Sequence, residues 1–286
     1  MSKENEKVQP FLEHLGELRK RLIIIIVAVI VGMGFAWNIS DEVLQFVTRP
    51  ISGKTYLTEI KKQIYVEVGK RWPAAYQQFE LGKEAEAAPK ERKLNYSAPL
   101  EPFFVQCKIS IIAGFILALP VVFYQLWLFI APGLTRREKR LVFPFVTVSS
   151  ISFCIGALFF LIIIWPVIIN FSLSYEAEGL NSLFNMSAYI NFCLRLILLF
   201  GLIFDLPVLL LLLSRFGVVT YSFLARNRRY ALLASSIVAA FHADLITMFV
   251  IMIPLYGMYE IGVWLVFLFG KKKDVPLEAT VGGDGE

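Results

Sequence analysis

The sequence holds little with which to do chemistry. It has three cysteines and two histidines, and neither set is arranged for a metal: His14 and His242 lie far apart, with no second ligand one helical turn away. Cys107, Cys154 and Cys193 are odd in number and sit in or beside apolar blocks, which argues against a disulfide framework and reads as packing. There is no HExxH, no GxSxG in a strand–turn–helix setting and no glycine-rich phosphate loop. Nor do the apolar runs carry the paired Asp, Glu or His that intramembrane proteolysis needs. No catalysis, metal or cofactor is therefore expected. Charge is scarce as well, at 18% of residues against about 25% in soluble domains.

What fills the space is apolar. Hydrophobic residues make up 57% of the chain and mean hydropathy is +0.65. The surplus comes in blocks rather than in an amphipathic pattern, so the chain reads as a membrane protein. A crossing takes about 20 mainly apolar residues, and the stretches 22–38, 103–131, 141–168, 191–214, 230–246 and 247–269 meet or approach that length. The first follows a polar start without a small-residue cleavage site, and is expected to be an uncleaved anchor. Tyr230 to Phe269 would form a helix of roughly 60 Å if unbroken, so two short helices with a turn near Asp244 are expected instead.

Basic residues set the orientation. Arg19 to Arg21, Arg136 to Arg140, Arg226 to Arg229 and Lys271 to Lys273 crowd four short segments, which the positive-inside rule places in the cytoplasm. The expected fold is thus an all-α membrane protein of about six transmembrane helices, with both termini cytoplasmic and the fifth and sixth helices short. Residues 1–270 would form a single transmembrane domain with an extended outer loop at about 41–101, and 271–286 a flexible cytoplasmic tail. No internal repeat or inverted pair of broken helices is visible.

The cytoplasmic surface carries the recognisable patterns. Phe11 to Leu22 reads FLEHLGELRKRL, with Leu15, Leu18 and Leu22 at helical spacing and Glu13, Glu17 and Lys20 on another face. Glu17 and Arg21 stand four apart, placed for a helical ion pair. Tyr124 to Arg140 reads YQLWLFIAPGLTRREKR: Pro132 and Gly133 stop one helix, and Thr135 with Glu138 forms a capping box for the next. Inside the fourth apolar run Asp205 is the anomaly. Burying a charge there is costly, so it should face protein, water or a partner. Asn191, Arg195, Leu198, Leu202 and Asp205 fall on one helical stripe, and Pro207 should kink the helix. Lys108 and Arg195 are expected to snorkel to the outer interface.

Five ordered elements resemble the TatC family, the multi-spanning subunit of the twin-arginine protein translocase. They are the two cytoplasmic segments, FDLPV at 204–208, ARNRRYA at 225–231 and IPLYGMYEIG at 253–262. The resemblance covers roughly residues 11–262 and leaves out the long outer loop. It implies a signal-peptide receptor and core membrane component that exports folded proteins, in the bacterial inner membrane and without enzymatic activity of its own. The implied signal-peptide site comprises Glu17 and Glu138 with Phe129, Leu15 and Arg19 beside them. A guanidinium offers a planar fork that suits a carboxylate bidentately, so two carboxylates favour Arg-Arg over Lys-Lys. Arg19, Arg136 and Arg137 would repel a nonspecific cation. Implied intramembrane polar positions are Asp205, Pro207, Asp244 and Glu260; Pro50, Pro132 and Gly133 are structural. Implied partners are twin-arginine signal peptides of folded substrates, small single-span subunits of the TatA or TatB type, further copies of the chain and the lipid bilayer, with no nucleic acid.

The family's Thr-Pro-Pro-Asp turn reads Phe241-His-Ala-Asp244 here, and Met248 replaces a common Gln, so contact with the single-span partners is expected to differ. The alternative is an ion-coupled secondary transporter using Asp205, which the missing repeats disfavour. A membrane enzyme, the third reading, lacks a nucleophile–base pair.

Overall fold

The computed structural model describes residues 3–52, 63, 67, 70, 71, 94–130, 142–174, 183–240 and 245–270. It is built from helices: α1 (Lys3–Trp37), α2 (Ser40–Thr48), α3 (Glu101–Ile130), α4 (Val142–Phe159), α5 (Trp165–Ser174), α6 (Met186–Arg215), α7 (Tyr221–Arg226), α8 (Arg228–Ala240) and α9 (Leu245–Phe269). A π-turn, Phe160–Ile164, joins α4 to α5. The chain divides into two compact units, Met1–Gly201 and Leu202–Glu286.

A helix satisfies its own backbone hydrogen bonds, which is why apolar runs of this length fold as helices in lipid. Among the described residues five stretches are long and apolar enough to cross a membrane: Gly16–Trp37, Glu101–Phe129, Phe143–Leu173, Met186–Arg215 and Thr247–Phe269. The amphipathic start runs into the first of these as one unbroken helix of 35 residues. The short pair expected near the end is corrected. All the shortness falls on α8, which has 13 residues, while α9 has 25 and is of full length. Residues Leu245 to Phe269 carry no charge except Glu260, and α9 continues through Pro254 as one element. The turn expected near Asp244 lies outside the described residues, as do Glu138, Pro132 and Gly133.

In the first unit α1 packs along α3 with almost nothing between the backbones. A Cβ built on Gly32 would stand 3.2 Å from Gly114 Cα, and one on Gly114 would stand 2.6 Å from Met33 Cα. After α1 the chain doubles into α2, which ends at a proline. Pro50 has no N–H, and the Ile51 N–H bonds to Thr48 O at 3.1 Å rather than to Val47 O. The Val47 carbonyl is taken up instead by two buried side chains. Trp165 Nε1 and Tyr189 Oη each donate to it at 2.9 Å. Pro50, expected to be structural, is itself buried at this junction.

Trp165 reaches that carbonyl from the far end of the π-turn, where its own N–H bonds back to Phe160 O. Pro166 follows, and it too has no N–H. The wider turn lies just before the proline and packs Trp165, fully buried, beside Phe160, whose ring is 5.2 Å from Phe200. At the start of α3, Glu101 ties two segments together. It accepts from Ser97 N at 2.6 Å, Ala98 N at 3.3 Å and Ser187 N at 2.9 Å. A parallel bridge between Asn95 and Asn185 runs alongside.

In the second unit α6 ends in a left-handed Gly217 (φ 76°), whose N–H bonds to Ser214 O at 3.0 Å. Thr220 then caps α7 by accepting from Phe223 N at 3.4 Å. Leu224, Val263 and Val266 form a small core with Leu210, Val219 and Tyr259 around them, and Tyr259 Oη donates to Leu224 O at 2.9 Å. Gly262 lets α9 approach α6, since a Cβ there would stand 3.2 Å from Pro207 Cα.

Candidate functional site

Glu17 stands where α1 changes from a polar helix to an apolar one, five residues before Leu22 and the unbroken run Ile23 to Ile26. Its carboxylate is half-buried and accepts from the Arg21 guanidinium one turn on, in the ion pair the spacing predicted. Arg21 is the more buried partner, at 16% side-chain exposure against 35% for Glu17. The pair therefore lies on the sheltered side of α1, where the carboxylate is held in one place. Arg19 and Leu18 are exposed beside it, Leu18 to 43%. A carboxylate has about four lone-pair positions, and the Arg21 contact runs through Oε1. Phe129 is half-buried in the last turn of α3. Leu15 lies on α1, with its backbone alone described.

Asp205 is the clearest electrostatic feature. It is 7% exposed, and neither carboxylate oxygen has a hydrogen-bond partner among the described residues. It sits ten residues from Arg215, the end of α6, or roughly 15 Å along the axis. That is half of a hydrocarbon core of about 30 Å. The polar stripe expected on α6 is not one surface, because Leu202 is 66% exposed where Asp205 is buried. Three residues turn a helix by 300°, enough to carry a side chain over the edge of a face. Arg195 is exposed, as snorkelling requires, but Lys108 donates to Asn191 Oδ1 at 3.0 Å. Helix α6 continues through Pro207 as one element.

Glu260, expected as an intramembrane polar position, is fully engaged. Tyr256 Oη donates to its Oε1 at 2.8 Å, and Arg228 Nη2 lies 3.2 Å from Oε2. Sequence reading saw Arg228 as part of a basic loop and Glu260 as part of a distant motif, and missed that they meet. The signal was a lone acid in an otherwise uncharged apolar run, which needs a cation to face. The Val47 junction went unseen as well. Met248 is half-buried on α9, whereas Phe241 to Asp244 lie outside the described residues. Cys193 is buried and Cys107 and Cys154 half-buried, and among the described residues no cluster of His, Cys, Asp and Glu could hold a metal.

Comparison with known proteins falls on this framework. Residues 13–254 match the family model of the Sec-independent protein translocase protein (TatC). The Sec-independent protein translocase protein TatC of Desulforapulum autotrophicum is 34% identical over 96% of this chain and 90% of its own length. Its namesake from Aquifex aeolicus is 34% identical over 92% of this chain and 97% of its own. Among solved structures, a twin-arginine translocase receptor TatC in a detergent matches with TM-score 0.68 and 32% identity, covering 91% of this chain and 100% of that one. A second crystal structure of a TatC receptor matches with TM-score 0.66 at the same identity.

Proposed function

This chain belongs to the TatC family of Sec-independent protein translocase proteins, and from that premise we propose how it works. It is a multi-pass membrane protein, the receptor and core membrane component of the twin-arginine translocase. In our reading Glu17 and Glu138 grip the arginine pair of a signal peptide, one carboxylate to each guanidinium, with Leu15 and Phe129 against its apolar part. The observation that carries this is Glu17 itself, half-buried and pinned by Arg21 at the mouth of the first span. Preplacing the carboxylate lowers the ordering cost of binding. Arg19 turns away cations that cannot make the bidentate contact. No bond is made or broken in this role. The single-span partners would dock within the membrane, against the face that holds Asp205.

Binding of a peptide with two consecutive arginines to the purified chain tests the assignment. Glu17→Ala is expected to weaken it by about 1 kcal/mol, between the values for an exposed rim and a desolvated site. Glu17→Ala with Glu138→Ala should abolish the preference over a Lys-Lys peptide. Unchanged affinity in the double variant refutes the site.

The reading also takes the protein to lie in the bacterial inner membrane with α8 as a sixth, shortened span, both termini cytoplasmic and the 41–101 loop outside. A cysteine placed at Ala85 should then react with an impermeant thiol reagent added to intact cells. Labelling only after lysis would overturn the six-span orientation.

A further inference from the structure

Beside the Arg228–Glu260 pair, α7, the start of α8 and α9 enclose a cavity of about 160 Å³ lined by Tyr221, Arg228, Val263, Trp264 and Phe267. We propose that it holds the headgroup phosphate of an anionic phospholipid, with an acyl chain laid along α9.

The walls divide by chemistry. Arg228 is the one charged side chain among them. Its contact with Glu260 runs through a single nitrogen, Nη2, whereas a guanidinium carries five donors. Glu260 thus fixes the direction of Arg228 without exhausting it, and the side chain remains 45% exposed. Arg215, Arg226 and Arg229 add three more positive charges nearby in sequence, so the anion enters a field of its own counter-sign. The other walls are aromatic. The ring centroids of Tyr221 and Phe267 are 5.0 Å apart, and those of Trp264 and Phe267 are 6.5 Å apart.

The apolar rim argues for a lipid rather than a free anion. Trp264 is 62% exposed and Phe267 56%, which a headgroup-level aromatic belt accounts for. From Trp264 the exposed face of α9 runs back toward mid-helix through Ile261 (48%) and Ile253 (66%). Those positions recur at helical spacing, so the stripe points from the cavity into the hydrocarbon. Basic pockets between helices at a membrane surface take anionic headgroups in this way.

The test is native mass spectrometry of the full chain with phosphatidylglycerol or phosphatidylcholine of identical acyl chains. Wild type should retain phosphatidylglycerol about fivefold more strongly, the factor expected for one basic residue at the surface. Arg228→Gln should remove that preference. Arg229→Gln should keep it, because the Arg229 guanidinium stacks on Tyr230, 5.0 Å from the ring centroid, while the charge lost is the same. Since Arg228 also pairs with Glu260, Tyr221→Glu provides an independent check: an acid at the first position of α7 suits the helix dipole but repels a phosphate. It too should lose the preference. Equal loss in Arg229→Gln and Arg228→Gln would mean diffuse surface charge and overturn the site. So would a wild type that takes both lipids equally, or displacement of the lipid by millimolar inorganic phosphate.

Discussion

Replacing Gly114 with valine is expected to leave little folded protein, whereas Gly34→Ala, two positions beyond Gly32 on α1, should be tolerated. The difference is geometric. A Cβ on Gly114 would stand 2.6 Å from Met33 Cα, so the obstacle is backbone and no rotamer change relieves it. A Cβ on Gly34 meets nothing within 4 Å. Small residues at helix crossings let backbones meet in a solvent that supplies no hydrophobic drive between helices. Overpacking where side chains can shift costs about 1–3 kcal/mol; with only backbone to move, the cost should reach or pass the top of that range. Helix α1 would have to part from α3, its main packing partner. Because Glu17 lies on the same rigid helix, roughly 22 Å along the axis from Gly32, peptide binding should fall with stability. Thermal unfolding in detergent reads the first effect and peptide retention the second. A Gly114→Val protein as stable as Gly34→Ala would show that the two helices separate freely.

That contact marks the boundary of what the sequence made legible. Apolar runs, their order and the polar start of α1 follow from hydropathy, because lipid leaves the backbone one economical conformation. Asp205 was visible for the same reason: a carboxylate stands out against an uncharged run. The Glu17–Arg21 pair needed only helical spacing. What stayed hidden depends on pairs distant in the chain. Nothing near Gly32 announces Gly114 as its partner. Val47 gives no sign that its carbonyl will be left when the Ile51 N–H turns to Thr48 O, and then be claimed by Trp165 and Tyr189, more than a hundred residues on. Leu232, Leu233, Ile237 and Val238 made α8 legible as a short apolar helix, but α9 was expected to be short as well. Helix α9 instead runs for 25 residues, through Pro254. Of the candidate receptor site, Glu17 was legible as an ion pair from spacing alone and as a ligand-binding group only through the family pattern.

Asp205→Leu should make the protein more stable and a poorer translocase. A buried carboxylate with neither oxygen bonded among the described residues is a standing cost, since leaving a buried polar group unsatisfied is worth about 1–3 kcal/mol, and more if it is charged. Leucine is bulkier but carries no group to leave unbonded, so it removes that cost and the melting temperature should rise. A fold under selection for stability alone has no reason to keep the acid there. We propose that its use lies in a state where something faces it, such as water in a thinned bilayer or a polar group on a partner helix. Asp205→Asn separates charge from polarity, because it keeps size and most hydrogen-bonding capacity. Export of a reporter with a twin-arginine signal should be largely retained in the Asn variant and lost in the Leu variant. Peptide binding should be intact in both, because Asp205 lies roughly 15 Å inside the basic end of its own helix, beyond the reach of an arginine pair held at the membrane surface. A Leu variant that is both stabilised and fully active in export would reduce Asp205 to an accident of packing. One that loses peptide binding would move the recognition site down into the membrane.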